Sequence, residues 1–465
     1  MDILLTHGYF LYEDPLEKKV MKPYPPLGLL YISSYLKSKG YEVGLLDTTF
    51  KSHEEVFDWF EKRRPALVGI YCNLMTKPNV LKMIQACKRL GSTVVLGGPE
   101  PPHYAEEYLQ FGADVVVIGE GEITLEELIR HLQTNGTQDL AGIQGIVYQN
   151  EDGTLDSTPP RPFNTNLDDL PFPDREAIDL QKYIDVWREH HNLGSVSLIC
   201  ARGCPYTCTW CSHSVYGFSH RRRSPENVAD EVELLIDEYQ PDMFWYADDV
   251  FTIHHQWFFA YADELQRRNI RLPFECISRE DRLNEHVIQK LAEMGCFRLW
   301  IGSESGSQSV LDAMQRRTNV QRVQEMTRLL RQYGIQAGMF IMLGYEGETL
   351  TDLEATVAHL KIANPDVFLT TVAYPIKGTD YYHSVEERVA SEKQWPERTD
   401  RDLVINGRHS RKFYHYTNRW LVNEVALRQE LNNGKKNYLK IARAFANASM
   451  GRLGMSRTKH ERERG

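Results

Sequence analysis

No apolar run in this chain approaches the about 20 residues that a helix needs to cross a bilayer. The first residues, Met1–His7, have no basic flank and too short an apolar stretch for a secretory signal. A surplus of positive charge is lacking too, since 54 Lys and Arg stand against 64 Asp and Glu for a formal net charge of −10. That balance leaves no electrostatic footprint for a nucleic acid. Cysteine is sparse, 8 in 465 residues, and without an export signal a disulfide framework is not expected. Together these absences predict a cytoplasmic protein. Hydrophobic content of 42% and charged content of 25% are ordinary for a globular chain, and the length allows two or three domains.

Three of the cysteines stand together. Cys204, Cys208 and Cys211 lie in a C-x-x-x-C-x-x-C spacing, directly after the strand-like run Val196–Cys200. Three thiolates on one tight loop suit a [4Fe–4S] cube and leave its fourth iron open to a small chelating molecule. Gly203 and Pro205 fit a loop that must wrap closely around a ligand. A structural zinc would need a fourth ligand, and Cys200 and His213 are the nearby candidates, neither at a zinc-ribbon spacing.

Residues 1–140 alternate strands and helices. Strand patterns are Ile3–Thr6, Val43–Asp47, Leu67–Cys72, Thr93–Leu96 and Val115–Ile118. Helical patterns at Leu29–Ser38, Glu54–Lys62, Val80–Leu90, Tyr104–Phe111 and Thr124–Leu132 separate or follow them. This rhythm predicts a doubly wound, Rossmann or flavodoxin-like parallel sheet, which binds ligands at the carboxyl ends of its strands. Those ends are rich in glycine: Gly97 and Gly98 after the fourth strand, Gly119 and Gly121 around Glu120 after the fifth. Residues 141–190 read as a connector, with a hairpin about Glu151–Gly153 and then an extended proline-rich stretch from Pro159 to Pro173.

From 191 to 390 the alternation returns. Val196–Cys200, Met243–Ala247, Phe274–Ser278, Arg298–Gly302, Gln336–Leu343 and Val367–Ala373 read as six strands with helices between them. They predict a partial (β/α)6 barrel with its site at the carboxyl ends of the strands. Asp248, Asp249, Arg279, Glu304 and Gly344 all fall at those ends. Residues 391–465 read as a helical extension, with helices at Trp420–Leu431 and Tyr438–Ala448. Tyr438, Ile441, Ala442 and Phe445 share one face of the second. From Lys435 onward nine Lys and Arg face two Glu. The preferred reading is a helix packed on the barrel with a frayed basic tail, and the alternative is contact with an anionic membrane surface.

The cysteine motif, with Trp210 before its third cysteine, resembles that of the radical S-adenosylmethionine (SAM) enzymes. The turns Pro25–Leu29, Gly97–Pro99 and Gly119–Glu122 ahead of it resemble the N-terminal domain of the cobalamin-dependent members of that family. The resemblance implies cobalamin held at Leu27, Gly28, Gly97, Gly98, Gly119, Glu120 and Gly121. It implies the cluster on Cys204, Cys208 and Cys211. For SAM it implies Asp248 or Asp249 toward the amine, Arg279 toward the carboxylate, Glu304 toward ribose or amine, and Trp210 and Gly344 beside adenine. The Asp-x-His-x-x-Gly motif, by which other cobalamin proteins ligate cobalt from below, is missing. His7 and His103 lie near strand ends and read as ordinary turn histidines.

The activity implied is methylation of an unactivated carbon of a small-molecule or lipid-like substrate, through a 5′-deoxyadenosyl radical and methylcobalamin, with a flavodoxin or ferredoxin as low-potential donor. Oxidative cyclisation or rearrangement without methyl transfer is the alternative within enzymes, and a non-catalytic cobalamin- or redox-sensing protein is the alternative outside them. A methylthiotransferase would be expected to carry more clustered cysteines in its N-terminal domain than the widely spaced Cys72 and Cys87.

Overall fold

Along a strand, successive side chains point to opposite faces, so a sheet buried on both sides must be apolar at every position. The computed structural model, which describes residues 1–137, 139–150, 152–432 and 436–464, shows this in β1 (Ile3–His7), β2 (Val43–Leu46), β3 (Leu67–Tyr71), β4 (Thr93–Gly97) and β5 (Val115–Val117). Leu4, Val68, Val94, Leu96 and Val116 enter one core. Ile3, Leu5, Val95, Val115 and Val117 enter the other. The strands are parallel in the order β2-β1-β3-β4-β5, which is the flavodoxin-like order expected. Crossover helices begin where side chains satisfy the first free N–H groups. Ser52 and Glu55, for example, form a reciprocal capping box at the start of helix His53–Arg63.

Two features of the connector differ from the reading above. The hairpin is part of the sheet, because β6 (Ile146–Gln149) pairs antiparallel with β5 and β7 (Leu155–Ser157) with β6. Glu151 in its turn lies outside the described residues. The proline-rich stretch is tied down, with Asp174 accepting from Ser33 Oγ at 2.5 Å and pairing with Lys37 Nζ at 2.6 Å. It leads into a helix, Leu180–His191, that the connector reading overlooked. That helix packs through Trp187 Nε1, which donates to the Pro23 carbonyl at 2.7 Å.

The chain forms two compact units, and the first runs past the expected boundary near residue 190. It comprises Met1–Pro205, Ser212–Ala247 and Lys393–Thr399. It therefore also holds β8 (Ser195–Leu198), the short antiparallel pair β9 (Ala201–Arg202) and β10 (Arg221–Arg222), and β11 (Met243–Tyr246), which is parallel to β8. A buried ion cluster binds these pieces. Glu231 accepts from Arg175 Nη2 at 2.7 Å and from Arg223 Nη1, and none of the three side chains is more than 5% exposed. Removing one member of such a cluster costs about 3–5 kcal/mol, because the remaining charge is left buried and uncompensated.

The second unit comprises Tyr206–Cys211, Asp248–Glu392 and the chain from Asp400 onward. Its strands β12 (Phe274–Ser278), β13 (Cys296–Glu304), β14 (Gln336–Leu343) and β15 (Val367–Val372) run parallel in that order. They correspond to four of the six strand patterns of residues 191–390, and β8 and β11 of the first unit correspond to the other two. The C-terminal helices are longer than expected, Arg411–Asn432 and Tyr438–Thr458. The second packs on the first through Ala444, Ala448, Gly451 and Gly454, and a Cβ on Gly451 would fall 2.5 Å from the Trp420 backbone nitrogen. Small residues let the helices close up, so Tyr438 and Phe445 lie outward, contrary to a helix packed by its large residues. Nor is the tail frayed, since Glu463 pairs with Arg408 at 3.0 Å and its N–H donates to the Arg408 carbonyl at 2.8 Å. Lys435, where the basic stretch was counted from, lies outside the described residues.

Candidate functional site

Parallel strands end with backbone groups and turns on one side of the sheet, and there the first unit opens a cavity of about 1090 Å³. His7 ends β1, Tyr71 ends β3 and Gly97 ends β4, while Gly119–Glu122 follow β5, and all line it. Every residue expected around cobalamin lines it: Leu27, Gly28, Gly97, Gly98, Gly119, Glu120 and Gly121. The glycines have different reasons. Gly98 has φ +110°, and its Cβ would lie 2.3 Å from the Cys72 carbonyl oxygen; Gly119 has φ +83°. At Gly28 and Gly97 an added Cβ would meet nothing within 4 Å. Nothing in the protein requires glycine there, whereas a ligand lying flat on the backbone would.

Glu120 lines the cavity, but its carboxylate is already engaged. Arg202 Nη1 donates to Oε1 at 2.7 Å and Arg221 Nη1 to Oε2 at 2.8 Å, while Arg202 Nη2 reaches Glu122 at 2.6 Å. Glu120 therefore fixes the loop after β5. His7 is engaged at both nitrogens: Nε2 bonds Asp47 Oδ1 at 3.0 Å and Nδ1 accepts from the Tyr9 N–H at 3.2 Å. Burial alone would raise the pKa of Asp47, but hydrogen bonds from His7 and Thr49 bring it to about 2. The contacts at both nitrogens fix the ring. His103 does not line the cavity.

In the second unit the side chains gather about Cys208. Arg279 is buried; its Nε donates to Asp281 Oδ1 at 2.8 Å, its Nη2 to the Arg316 carbonyl at 2.8 Å, and its guanidinium lies 3.7 Å from the Tyr206 ring centre. Nη1 of Arg279 is 3.9 Å from Cys208 Sγ, and Nη1 of Arg316 is 4.0 Å from it. Burial raises the Cys208 pKa, and the neighbouring Arg279 counteracts this. Among the described residues no three His, Cys, Asp or Glu side chains converge as ligands of one ion. A cube asks for something else, one thiolate per iron from a loop, and the motif provides that donor set.

Glu304 ends β13 with φ +59°, at a shift in the β13–β14 register between Gly302 and Glu304. A left-handed non-glycine residue costs roughly 1–3 kcal/mol, and Glu304 adopts it at a strand end rather than at a helix C-cap. Burial pushes its carboxyl up to about 8, with Arg279 opposing. Such a carboxyl is protonated at neutral pH and would ionise when an ammonium approached. Asp248 is buried at the end of β11, whereas Asp249 is exposed, which separates two residues that sequence treated alike.

Three of the expected residues have partners within the protein. Trp210 packs against the apolar cluster of Val310, Met314, Tyr345 and Tyr381. Gly344 has φ +75°, and its Cβ would meet the Tyr414 ring at 2.7 Å, so the protein's own packing requires glycine there. Arg279, expected toward the SAM carboxylate, holds Asp281 and stands beside Cys208. The sequence reading missed Arg202, Arg221, Tyr206 and Arg316. Arg202 had a usable signal, a charge at an otherwise apolar strand end two residues before Cys204; Arg316, between Gln315 and Arg317, had none.

The model of the radical SAM superfamily matches residues 198–360, and that of the B12 binding domain matches residues 17–129. An uncharacterized methyltransferase of Pyrococcus horikoshii is 26% identical over 408 residues, covering 85% of this chain and 86% of that protein. An anaerobic magnesium-protoporphyrin IX monomethyl ester cyclase of Rubrivivax gelatinosus is 28% identical over 379 residues, covering 79% and 67%. Among solved structures, the radical S-adenosylmethionine methyltransferase TsrM of Kitasatospora setae, with cobalamin and a [4Fe–4S] cluster bound, matches with TM-score 0.68. It is 22% identical and covers 83% of this chain and 74% of that one.

Proposed function

Because this chain belongs to the radical SAM proteins that carry a B12-binding domain, we propose that it is a methyltransferase acting on an unactivated carbon of a small molecule. When bound, the cluster supplies the electron that cleaves SAM, and cobalamin supplies the methyl group. The observation that carries this reading is the cavity at the β-strand ends, where Gly28 and Gly97 leave backbone open for a ligand to cover.

The chain's own residues do the holding. Cys204, Cys208 and Cys211 hold the cluster, with Arg279 and Arg316 placing positive charge beside Cys208. Glu304, with Asp248, takes the ammonium of SAM; that approach would draw the raised carboxyl of Glu304 to its charged form. In the first unit Glu120, Arg202 and Arg221 keep the loop after β5 against the cavity. The His7–Asp47 pair leaves cobalamin without a histidine ligand from this side chain. A low-potential flavodoxin or ferredoxin would be the electron donor.

Methyl-labelled SAM, given to the reconstituted protein with a low-potential reductant and a small-molecule extract, tests the reading. Label should enter a product of the extract, with S-adenosylhomocysteine and 5′-deoxyadenosine formed in near-equal amounts. Deoxyadenosine without S-adenosylhomocysteine would instead favour oxidative cyclisation, which the likeness to the cyclase of Rubrivivax gelatinosus keeps in view. No SAM cleavage at all would favour a sensor.

A further inference from the structure

The last helix, Tyr438–Thr458, has its two faces reversed relative to an ordinary packed helix. Its buried face is made of Ala444, Ala448, Gly451, Gly454, Met455 and Thr458. Its outward face carries the large apolar side chains: Leu439 is 84% exposed, Tyr438 77%, Phe445 62%, Leu453 52% and Met450 47%. At 3.6 residues per turn these five fall in one arc of about 140°. Arg452 borders the arc beside Phe445 and Arg443 borders it beside Met450, with Lys436 and Lys440 at the amino end, all exposed. From Lys436 to His460 there is no Asp or Glu. Lys440 and Arg452 reach carboxylates on other helices, Glu430 at 3.7 Å and Glu354 at 2.9 Å.

We propose that this face docks on the surface of an anionic lipid bilayer, with the helix lying in the plane of the interface. An exposed apolar strip edged by arginine, with Arg457 in line at its carboxyl end and no Asp or Glu in the helix itself, matches a layer of acyl chains beneath anionic headgroups. Among the described residues no helix is long and apolar enough to cross a membrane, so the contact is peripheral. A second copy of the chain is a poorer fit, because a two-fold contact would set this cationic border against itself.

The test is co-sedimentation of the full-length holoprotein with vesicles of phosphatidylcholine alone and with phosphatidylglycerol added. Binding is expected to the mixed vesicles, to weaken with salt, and to be slight on phosphatidylcholine alone. Phe445→Asp with Leu453→Asp should lower vesicle partitioning about ten-fold or more, with an unchanged melting temperature because both side chains face solvent. Arg443→Glu, a milder change, should weaken binding only to the anionic vesicles. Equal binding of wild type and the double variant overturns the proposal, as does absence of wild-type binding. A wild-type dimer that the double variant dissolves, without vesicle affinity, would assign the face to a second copy instead.

Discussion

Gly97 ends β4 and Gly98 opens the bend after it, and the structure places opposite requirements on them. At Gly98 a side chain would adopt φ +110° and press its Cβ to 2.3 Å from the carbonyl oxygen of Cys72. Gly98→Ala should therefore incur about 1–3 kcal/mol of backbone strain and a comparable overpacking cost. A unit of this size loses about 2–4 °C per kcal/mol, so the apoprotein should melt lower by on the order of 10 °C. At Gly97 a Cβ meets nothing within 4 Å. Gly97→Leu should leave the apoprotein melting temperature unchanged or slightly higher, since removing a glycine restricts the unfolded chain by about 0.4–1 kcal/mol. The new side chain would project into the cavity, and cobalamin retention should fall at least about ten-fold, equivalent to about 1.4 kcal/mol. Calorimetry of the apoprotein and absorbance of cobalamin retained through gel filtration give the two readouts. Full cobalamin retention by Gly97→Leu would refute the assignment of the cavity. A loss of stability in Gly97→Leu as large as in Gly98→Ala would refute the open-backbone argument itself.

Replacing Cys204, Cys208 and Cys211 together with Ala should abolish bound iron and sulfide, while Cys200→Ala, at a buried strand end, should retain four irons by elemental analysis. Arg316→Gln removes a positive charge 4.0 Å from Cys208 Sγ; the cluster should become harder to reduce, read as a more negative midpoint in a redox titration followed by electron paramagnetic resonance. His359, bonded to Ser303 Oγ at 2.9 Å and Gln324 Nε2 at 3.2 Å, has its pKa pushed down to about 4 by burial. The unfolded chain takes up that proton first, so this contribution is whole above pH of about 6.5 and is lost as pH falls toward 4, up to about 3 kcal/mol. His359→Gln should flatten urea-measured stability across that window, and an unaltered slope would count against a buried neutral imidazole.

Local rules reach a long way in this chain. Continuous apolar runs place all eleven parallel strands of the described residues within two residues at either end, because a strand buried on both faces has few polar positions to obscure it. The fit is loosest at β8 and β13, the latter running to Glu304 through an irregular register. Cysteine spacing nominates the cluster because thiolates on one loop are a chemical unit whatever the fold around them. The glycine turns nominate the cavity for a similar reason. What sequence left undecided is which side chain meets which. Arg279 holds Asp281, Gly344 lies under the ring of Tyr414, and Glu120, at the cavity as expected, also holds Arg202 and Arg221. Periodicity announces none of these partners: charge neutralisation on burial pairs Arg279 with Asp281 and Glu120 with Arg202 and Arg221, and packing sets Tyr414 over Gly344. The final helix shows the same division. Its amphipathic pattern was legible, but only close packing of Gly451 and Gly454 on the preceding helix decided that its large apolar residues would point outward.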